Sequence, residues 1–97
     1  MSFERIAIIG LGLLGGSIGL AVQEGLLGAH TTGYDADPAT RARATERGLV
    51  AQVCDSAAEA VQDAQLVILC VPVGAMGAAA AGLAGALAPG TLVSDVG

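Results

Sequence analysis

The sequence predicts an α/β fold built on a doubly wound parallel sheet of about five strands with flanking helices. Short apolar runs rich in β-branched residues alternate along the chain with segments of helical periodicity, and glycine or proline marks most of the boundaries. Helical crossovers between parallel strands place helices on both faces of such a sheet. With 97 residues the chain is expected to form one domain, 1–97.

Five apolar or β-branched runs are the predicted strands. They cover residues 5–9, 30–34, 50–53 and 66–71, and a fifth begins at 91–94. The run at 66–71 places six apolar residues in a row, which is typical of a central parallel strand covered on both faces. Pro72 follows it and is expected to end it.

A helix is predicted after each of the first four strands. The first extends from Leu13 to about residue 24, with apolar residues every four positions. The second begins at an N-cap, Asp37, followed by proline, and Gly48 closes it. Ser56 and Glu59 form a capping box for the third, which extends to about residue 64. The fourth follows an apolar stripe at positions 76, 80, 83 and 87.

Composition excludes several classes of protein. Fifty-four per cent of the residues are hydrophobic, which excludes disorder for most of the chain. Four arginines and no lysine face nine carboxylates, and the net charge of −5 would repel a nucleic-acid backbone. Cys54 and Cys70 lie 16 positions apart without a second Cys or His cluster, so we expect small buried hydrophobes and no metal site.

A membrane protein is the next class to consider, because residues 6–23 and 64–94 are uncharged and long enough to span a bilayer. Neither segment has a basic cluster or an aromatic belt beside it, and Pro72, Gly74 and Pro89 interrupt the second. The amino-terminal residues also lack the pattern of a signal peptide. We therefore expect a cytoplasmic protein without a membrane span.

The motif that carries chemistry lies between the first strand and the first helix. Its six residues match G-x-G-x-x-G: Gly10, Leu11, Gly12, Leu13, Leu14 and Gly15. The first glycine permits a tight turn, the second lets a pyrophosphate approach the backbone, and the third lets helix and strand pack closely. Backbone N–H groups and the helix dipole would hold the anion without a lysine. The alternative is that the glycines only form a compact turn.

An acidic residue completes the pattern. Asp35 lies 20 residues after Gly15, next to Tyr34 at the end of the second strand, where a carboxylate accepts hydrogen bonds from ribose hydroxyls. A carboxylate there repels a 2′-phosphate and favours NAD over NADP. Arg41 and Arg43 on the following helix could soften this preference; the alternative is that they only form a solvated face. The alternative role for Asp35 is that of a turn residue. Together the two motifs predict a Rossmann-type domain that binds NAD.

The chain resembles the cofactor domain of the prephenate and arogenate dehydrogenase family along nearly its whole length. The resemblance rests on four segments, which are Gly-Leu-Gly-Leu-Leu-Gly-Gly-Ser from Gly10, Gly-Tyr-Asp from Gly33, Cys-Val-Pro-Val from Cys70 and Ser-Asp-Val-Gly from Ser94. It implies oxidative decarboxylation of prephenate or arogenate, with hydride transfer to the nicotinamide of NAD, and a homodimer formed through a helical domain. It also implies that the loop of Val71, Pro72 and Val73 lies along the cofactor; a simple strand terminator is the other reading of Pro72.

The sequence departs from this family at its end. Family members continue beyond Asp-Val-Gly with a serine that helps bind the substrate and a Gly-x-His-Pro segment, whereas this chain stops at Gly97. His30 belongs to the second strand, near the adenosine half if near the site at all, and cannot replace that histidine. We therefore expect a chain that binds NAD without catalytic residues of its own. Two alternatives remain: another NAD-dependent dehydrogenase, such as a 3-hydroxyacid dehydrogenase, and a non-catalytic NAD-sensing module.

Overall fold

The computed structural model describes residues 4–25, 30–71, 81, 83, 85–87 and 90–95. The strands within these ranges are β1 (Arg5–Ile9), β2 (His30–Tyr34), β3 (Gln52–Val53), β4 (Leu66–Leu69) and β5 (Leu92–Asp95). The helices are α1 (Leu13–Gly25), α2 (Pro38–Arg47) and α3 (Ala57–Val61). The first two strands coincide with their predicted bounds, and α1 and α2 begin where the sequence places them.

The five strands form one parallel sheet in the order β3-β2-β1-β4-β5. β1 is central because the chain first adds β2 and β3 on one side and then β4 and β5 on the other. This confirms the doubly wound, Rossmann-type α/β class. The direction of winding changes between β1 and β4, and ligands of such sheets bind at the carboxyl edge at this position.

Two hydrophobic clusters cover the two faces of the sheet, because successive residues of a strand point to opposite sides. Ala7 and Ile9 of β1 belong to the cluster that includes Ala60 and Val61 of α3. The intervening Ile8 belongs to the other cluster, as does Ala44 of α2. Helices on both faces explain why the strands read as continuous apolar runs.

The cap of α2 has the predicted form. The Asp37 side chain accepts a hydrogen bond from the Ala39 N–H at 3.0 Å, and Pro38 is the first helical residue. Gly48 ends the helix in the left-handed conformation, with φ 62°, and its N–H points back to carbonyls of the last turn. Local sequence therefore determines both ends of this helix.

Three predicted elements extend further than the observed ones. The third strand is only Gln52–Val53, since the Ala51 N–H donates to the Thr31 hydroxyl at 2.8 Å instead of extending the ladder. The third helix ends at Val61, because Asp63 turns the chain with φ 62°. The strand predicted at 66–71 ends at Leu69, level with the last residue of β1.

The predicted fourth helix falls mostly outside the described residues. Ala81 and Leu83 have helical backbone, and Leu83 is 1% exposed and packs in the same cluster as α3. Positions 76 and 80 of the predicted stripe lie outside the described ranges. Among the helices that are described, none has the length and apolar character needed to cross a membrane.

Candidate functional site

The turn after β1 lies at the centre of the carboxyl edge of the sheet. Gly10 has φ 99°, a conformation that L side chains rarely adopt, and a Cβ at this position would overlap the carbonyl oxygen of Cys70. Its N–H donates to the Tyr34 carbonyl at 2.8 Å. The turn is therefore held between the ends of β2 and β4, and only glycine fits there.

Helix α1 begins directly against this turn. A Cβ on Gly15 would overlap the carbonyl oxygen of Gly10, so the third glycine of the motif is what permits the close approach. The Gly16 N–H donates to the Gly12 carbonyl at 2.8 Å, which makes Gly12 the N-cap residue of α1. The sequence prediction for Gly10 and Gly15 thus has a direct steric basis.

The amino end of α1 has the properties of an anion site. The N–H groups of a first helical turn have no partner within the helix, and Gly12 has no side chain with which to cap them. The first turn contains no acidic residue. Gly12 is exposed, and no atom of the described residues lies within 4 Å of the position that its Cβ would occupy. Among the described residues, the space beside Gly12 at the positive end of the helix dipole is therefore open.

Asp35 joins the glycine turn to the end of β2. Its Oδ2 accepts a hydrogen bond from the Leu11 N–H at 2.8 Å, and its Oδ1 accepts one from the Asp37 N–H at 2.9 Å. Each carboxylate oxygen can accept a further hydrogen bond. The sequence allowed two roles for Asp35, that of a ligand-binding residue and that of a turn residue. The structure places it at the turn with its carboxylate beside the amino end of α1.

Tyr34 and Arg41 form the outer side of this loop. The Arg41 guanidinium donates from Nη1 to the Asp35 carbonyl at 2.7 Å, and its Cζ lies 5.5 Å from the centroid of the Tyr34 ring. The distance is within the range of a cation–π contact. The sequence offered both Arg41 and Arg43 as residues that could soften the preference for NAD. In the structure Arg41 contacts Asp35, whereas Arg43 is exposed.

The remaining predicted site residues differ in how far the structure describes them. Val71 is half-buried, and its Cγ1 lies 3.2 Å from the position of a Gly10 Cβ, so the end of β4 flanks the turn. Leu11 is 2% exposed, which leaves its backbone as the part that faces the site. Leu13 and Leu14 are described through their helical backbone alone. Pro72 and Val73 lie outside the described residues.

The other side chains considered for chemistry supply no reactive group to this edge. His30 lies at the amino end of β2, in register with Arg5 of β1, so it is remote from the carboxyl edge, in keeping with the expectation that it cannot replace the family's histidine. Burial raises the pKa of the Cys54 and Cys70 thiols, which disfavours the reactive thiolate. In the part of the chain that is described, no cluster of three His, Cys, Asp or Glu side chains could hold a metal ion.

The glycine turn, the open helix end and the carboxylate at the end of β2 define a Rossmann-type nucleotide-binding domain. The profile of the family described as prephenate dehydrogenase, nucleotide-binding domain, matches residues 18–97. The chain belongs to this family. The match begins after the glycine turn, so the G-x-G-x-x-G motif of residues 10–15 does not contribute to it.

Individual relatives support this assignment over nearly the whole chain. The cyclohexadienyl dehydrogenase of Zymomonas mobilis subsp. mobilis is 42% identical over 95 residues, which cover 98% of this chain and 32% of that protein. The crystal structure of Synechocystis arogenate dehydrogenase is 28% identical with a TM-score of 0.87, covering 96% of this chain and 32% of the other.

A third comparison concerns the fold. Prephenate dehydrogenase from A. aeolicus, in complex with hydroxyphenyl propionate and NAD+, is 23% identical with a TM-score of 0.87, and the match covers 98% of this chain and 34% of that one. This chain therefore spans about a third of the length of each of the three relatives.

Proposed function

We propose that this chain binds NAD as the cofactor domain of a dehydrogenase that acts on prephenate or arogenate. The observation that carries the proposal is the hydrogen bond from the Leu11 N–H to the Asp35 carboxylate, 2.8 Å long. This hydrogen bond brings a carboxylate, the group that binds ribose hydroxyls in such folds, next to the open amino end of α1. Dinucleotide binding needs both features. The membership of the chain in the prephenate dehydrogenase family supports the same conclusion.

The described residues fit such a cofactor. The N–H groups at the start of α1 would hold the pyrophosphate, and Gly12 leaves room for it to approach the backbone. The Asp35 oxygens would accept hydrogen bonds from the ribose hydroxyls. Val71 would lie beside the cofactor, because it flanks the turn at the position where the winding of the sheet changes. The bound nicotinamide ring supplies the hydride acceptor of the reaction.

In the proposed reaction, the substrate is oxidised and loses carbon dioxide. The described residues bind and orient the cofactor, and none of them is assigned as acid, base or substrate ligand. We place those groups in a further helical domain, which would also form a homodimer. The same resemblance supports a cytoplasmic enzyme of tyrosine biosynthesis. Relatives whose names specify cyclohexadienyl and arogenate dehydrogenases support the substrate class rather than one substrate.

Calorimetric titration of the purified chain with NAD and with NADP tests the proposal. We expect NAD to bind more tightly, and Asp35→Ala to raise the Kd for NAD about 10-fold or more, as the loss of hydrogen bonds to a charged group predicts. Asp55→Ala is the matched control, since it removes an exposed carboxylate from another loop and should leave the Kd unchanged. Circular dichroism verifies that each variant is folded. A folded chain that releases no heat with either nucleotide would overturn the proposal.

A further inference from the structure

The arginines of α2 differ in their surroundings. Arg41 is half-buried, and its guanidinium contacts the Asp35 carbonyl and the face of the Tyr34 ring. Arg43 and Arg47 are exposed on the same helix. Arg41 lies in the first half of α2, and helical side chains point back toward the amino end, which directs it to the carboxyl edge of β2. One of the three cations is therefore held beside the candidate ribose site.

Among the described contacts, the neighbouring carboxylates bind groups other than the Arg41 guanidinium. Asp35 accepts from the Leu11 and Asp37 N–H groups, and Asp37 accepts from the Ala39 N–H and the Thr40 hydroxyl. The hydrogen bonds of the Arg41 guanidinium go instead to the backbone oxygens of Asp35 and Ala36, both from Nη1. A guanidinium has five N–H donors, so a fork suited to a phosphate is still available.

Asp35 and Arg41 act in opposite directions on one part of the cofactor. A carboxylate at the end of β2 accepts from a ribose 2′-hydroxyl, whereas an arginine nearby accommodates a 2′-phosphate. Here the guanidinium is hydrogen-bonded at 2.7 Å to the backbone of the same residue that carries the carboxylate. A phosphate at that hydroxyl would therefore meet repulsion from Asp35 and attraction from Arg41.

We propose that Arg41 is a specificity-determining residue that binds the 2′-phosphate of NADP and thereby limits the preference for NAD that Asp35 imposes. This inference rests on the proposed function, because it assumes that the adenosine ribose binds at Asp35. It assigns the effect to Arg41 through its contacts and not to the basic character of α2 as a whole. Arg43, two residues further along the helix and exposed, should have no such effect.

Calorimetry with NAD and NADP on four forms of the chain tests the inference: wild type, Arg41→Gln, Asp35→Asn and the double variant. Arg41→Gln should raise the Kd for NADP about 10-fold and change the Kd for NAD less than about 3-fold, because a charge-assisted bidentate pair is lost only with NADP. Asp35→Asn should lower the Kd for NADP about 10-fold, and adding Arg41→Gln should reverse that gain. Arg43→Gln is the matched control, with the same change of charge.

The outcomes separate this inference from the proposed function. If NAD binds but Arg41→Gln weakens both dinucleotides equally, or Arg43→Gln acts as strongly as Arg41→Gln, the inference is wrong and the proposed function stands. If the folded wild-type chain binds neither dinucleotide, the proposed function fails first. Where NADP binding by the wild type is too weak to measure, the comparison of Asp35→Asn with the double variant decides, and equal Kd values for NADP overturn the inference.

Discussion

Helices α1 and α2 begin at the same edge of the sheet, but their amino ends are built in opposite ways. Asp37 closes the end of α2 with hydrogen bonds from the Ala39 N–H and the Thr40 hydroxyl, and Pro38 removes one donor from its first turn. At the equivalent place in α1, Gly12 has no side chain and is exposed. The first end is satisfied from within the chain, whereas no side chain of the described residues closes the second.

Under the proposed function, this difference separates a structural helix end from one that binds the cofactor. Both ends have N–H groups without a partner inside the helix, and both carry the positive pole of a helix dipole, so neither property is specific to ligand binding. The difference lies in the N-cap residue, which is an aspartate in α2 and a glycine in α1. The carboxylate beside the amino end of α1 is that of Asp35. It follows β2 and accepts a hydrogen bond from the Leu11 N–H.

The largest expected effect comes from closing the space between α1 and its turn. In Gly15→Ala the new methyl group would overlap the Gly10 carbonyl oxygen, so either the turn or the helix must move. We expect the free energy of unfolding to fall by about 3 kcal/mol or more, measured by urea denaturation followed by circular dichroism.

Gly85→Ala is the control for that substitution, because no atom of the described residues lies within 4 Å of its Cβ position. Its stability should stay within about 1 kcal/mol of the wild type. If Gly15→Ala proved as stable as Gly85→Ala, the close approach of α1 to its turn would not be a requirement of this fold.

A second substitution gives α1 the kind of cap that α2 has. Gly12→Asp places a carboxylate at the N-cap, where it can accept from the first-turn N–H groups and should change the stability by only a few tenths of a kcal/mol. The Kd for NAD should rise about 100-fold or more, since the carboxylate competes with the pyrophosphate and repels it. Calorimetry measures the Kd, and urea denaturation measures the stability.

Gly12→Ser separates the two causes, because serine caps the helix without adding charge. We expect an intermediate loss of affinity, roughly 10-fold. Undiminished NAD binding by a folded Gly12→Asp chain would mean that the pyrophosphate does not bind at α1, and the contrast between the two helix ends would lose its functional meaning.

The sequence predicted those parts of the fold and site that depend on local chemistry. The bounds of β1 and β2, the caps at Asp37 and Gly48 and the position of the glycine turn follow from residues within a few positions of each other. These features were confirmed because dihedral preferences and capping hydrogen bonds operate over one turn of chain.

Features set by distant parts of the chain were less well predicted. The third strand is short because Ala51 bonds to the Thr31 side chain, 20 residues away, and the fourth strand stops level with the end of β1. The hydrogen bond between Leu11 and Asp35 spans 24 residues. The spacing suggested that the two motifs belong together, but only the fold shows that they touch.

A third substitution removes the N-cap of α2. Asp37→Ala removes the acceptor for the Ala39 N–H and the Thr40 hydroxyl, so the free energy of unfolding should fall by about 1 kcal/mol. The Kd for NAD should change less than about 3-fold, since the backbone N–H that Asp37 donates to Asp35 is retained. Asp37→Asn is the control and should recover most of the stability. A loss of NAD binding as large as that expected for Asp35→Ala would show that the two helix ends do not function separately.

The smallest expected effect is at the third helix. Ser56 caps α3 by accepting from the Glu59 N–H at 3.1 Å, but this bond is exposed and α3 has only five residues. Ser56→Ala should therefore lower the free energy of unfolding by about 0.5 kcal/mol, at the low end of the range for N-caps, because water can replace the lost acceptor. Ser56→Asp should restore it. Urea denaturation measures both variants, and NAD binding should be unchanged, since α3 packs in the cluster on the opposite face of the sheet from the cluster that Ile18 of α1 contacts. A loss above about 2 kcal/mol would mean that this short helix depends on its cap more than on the buried Ala60 and Val61.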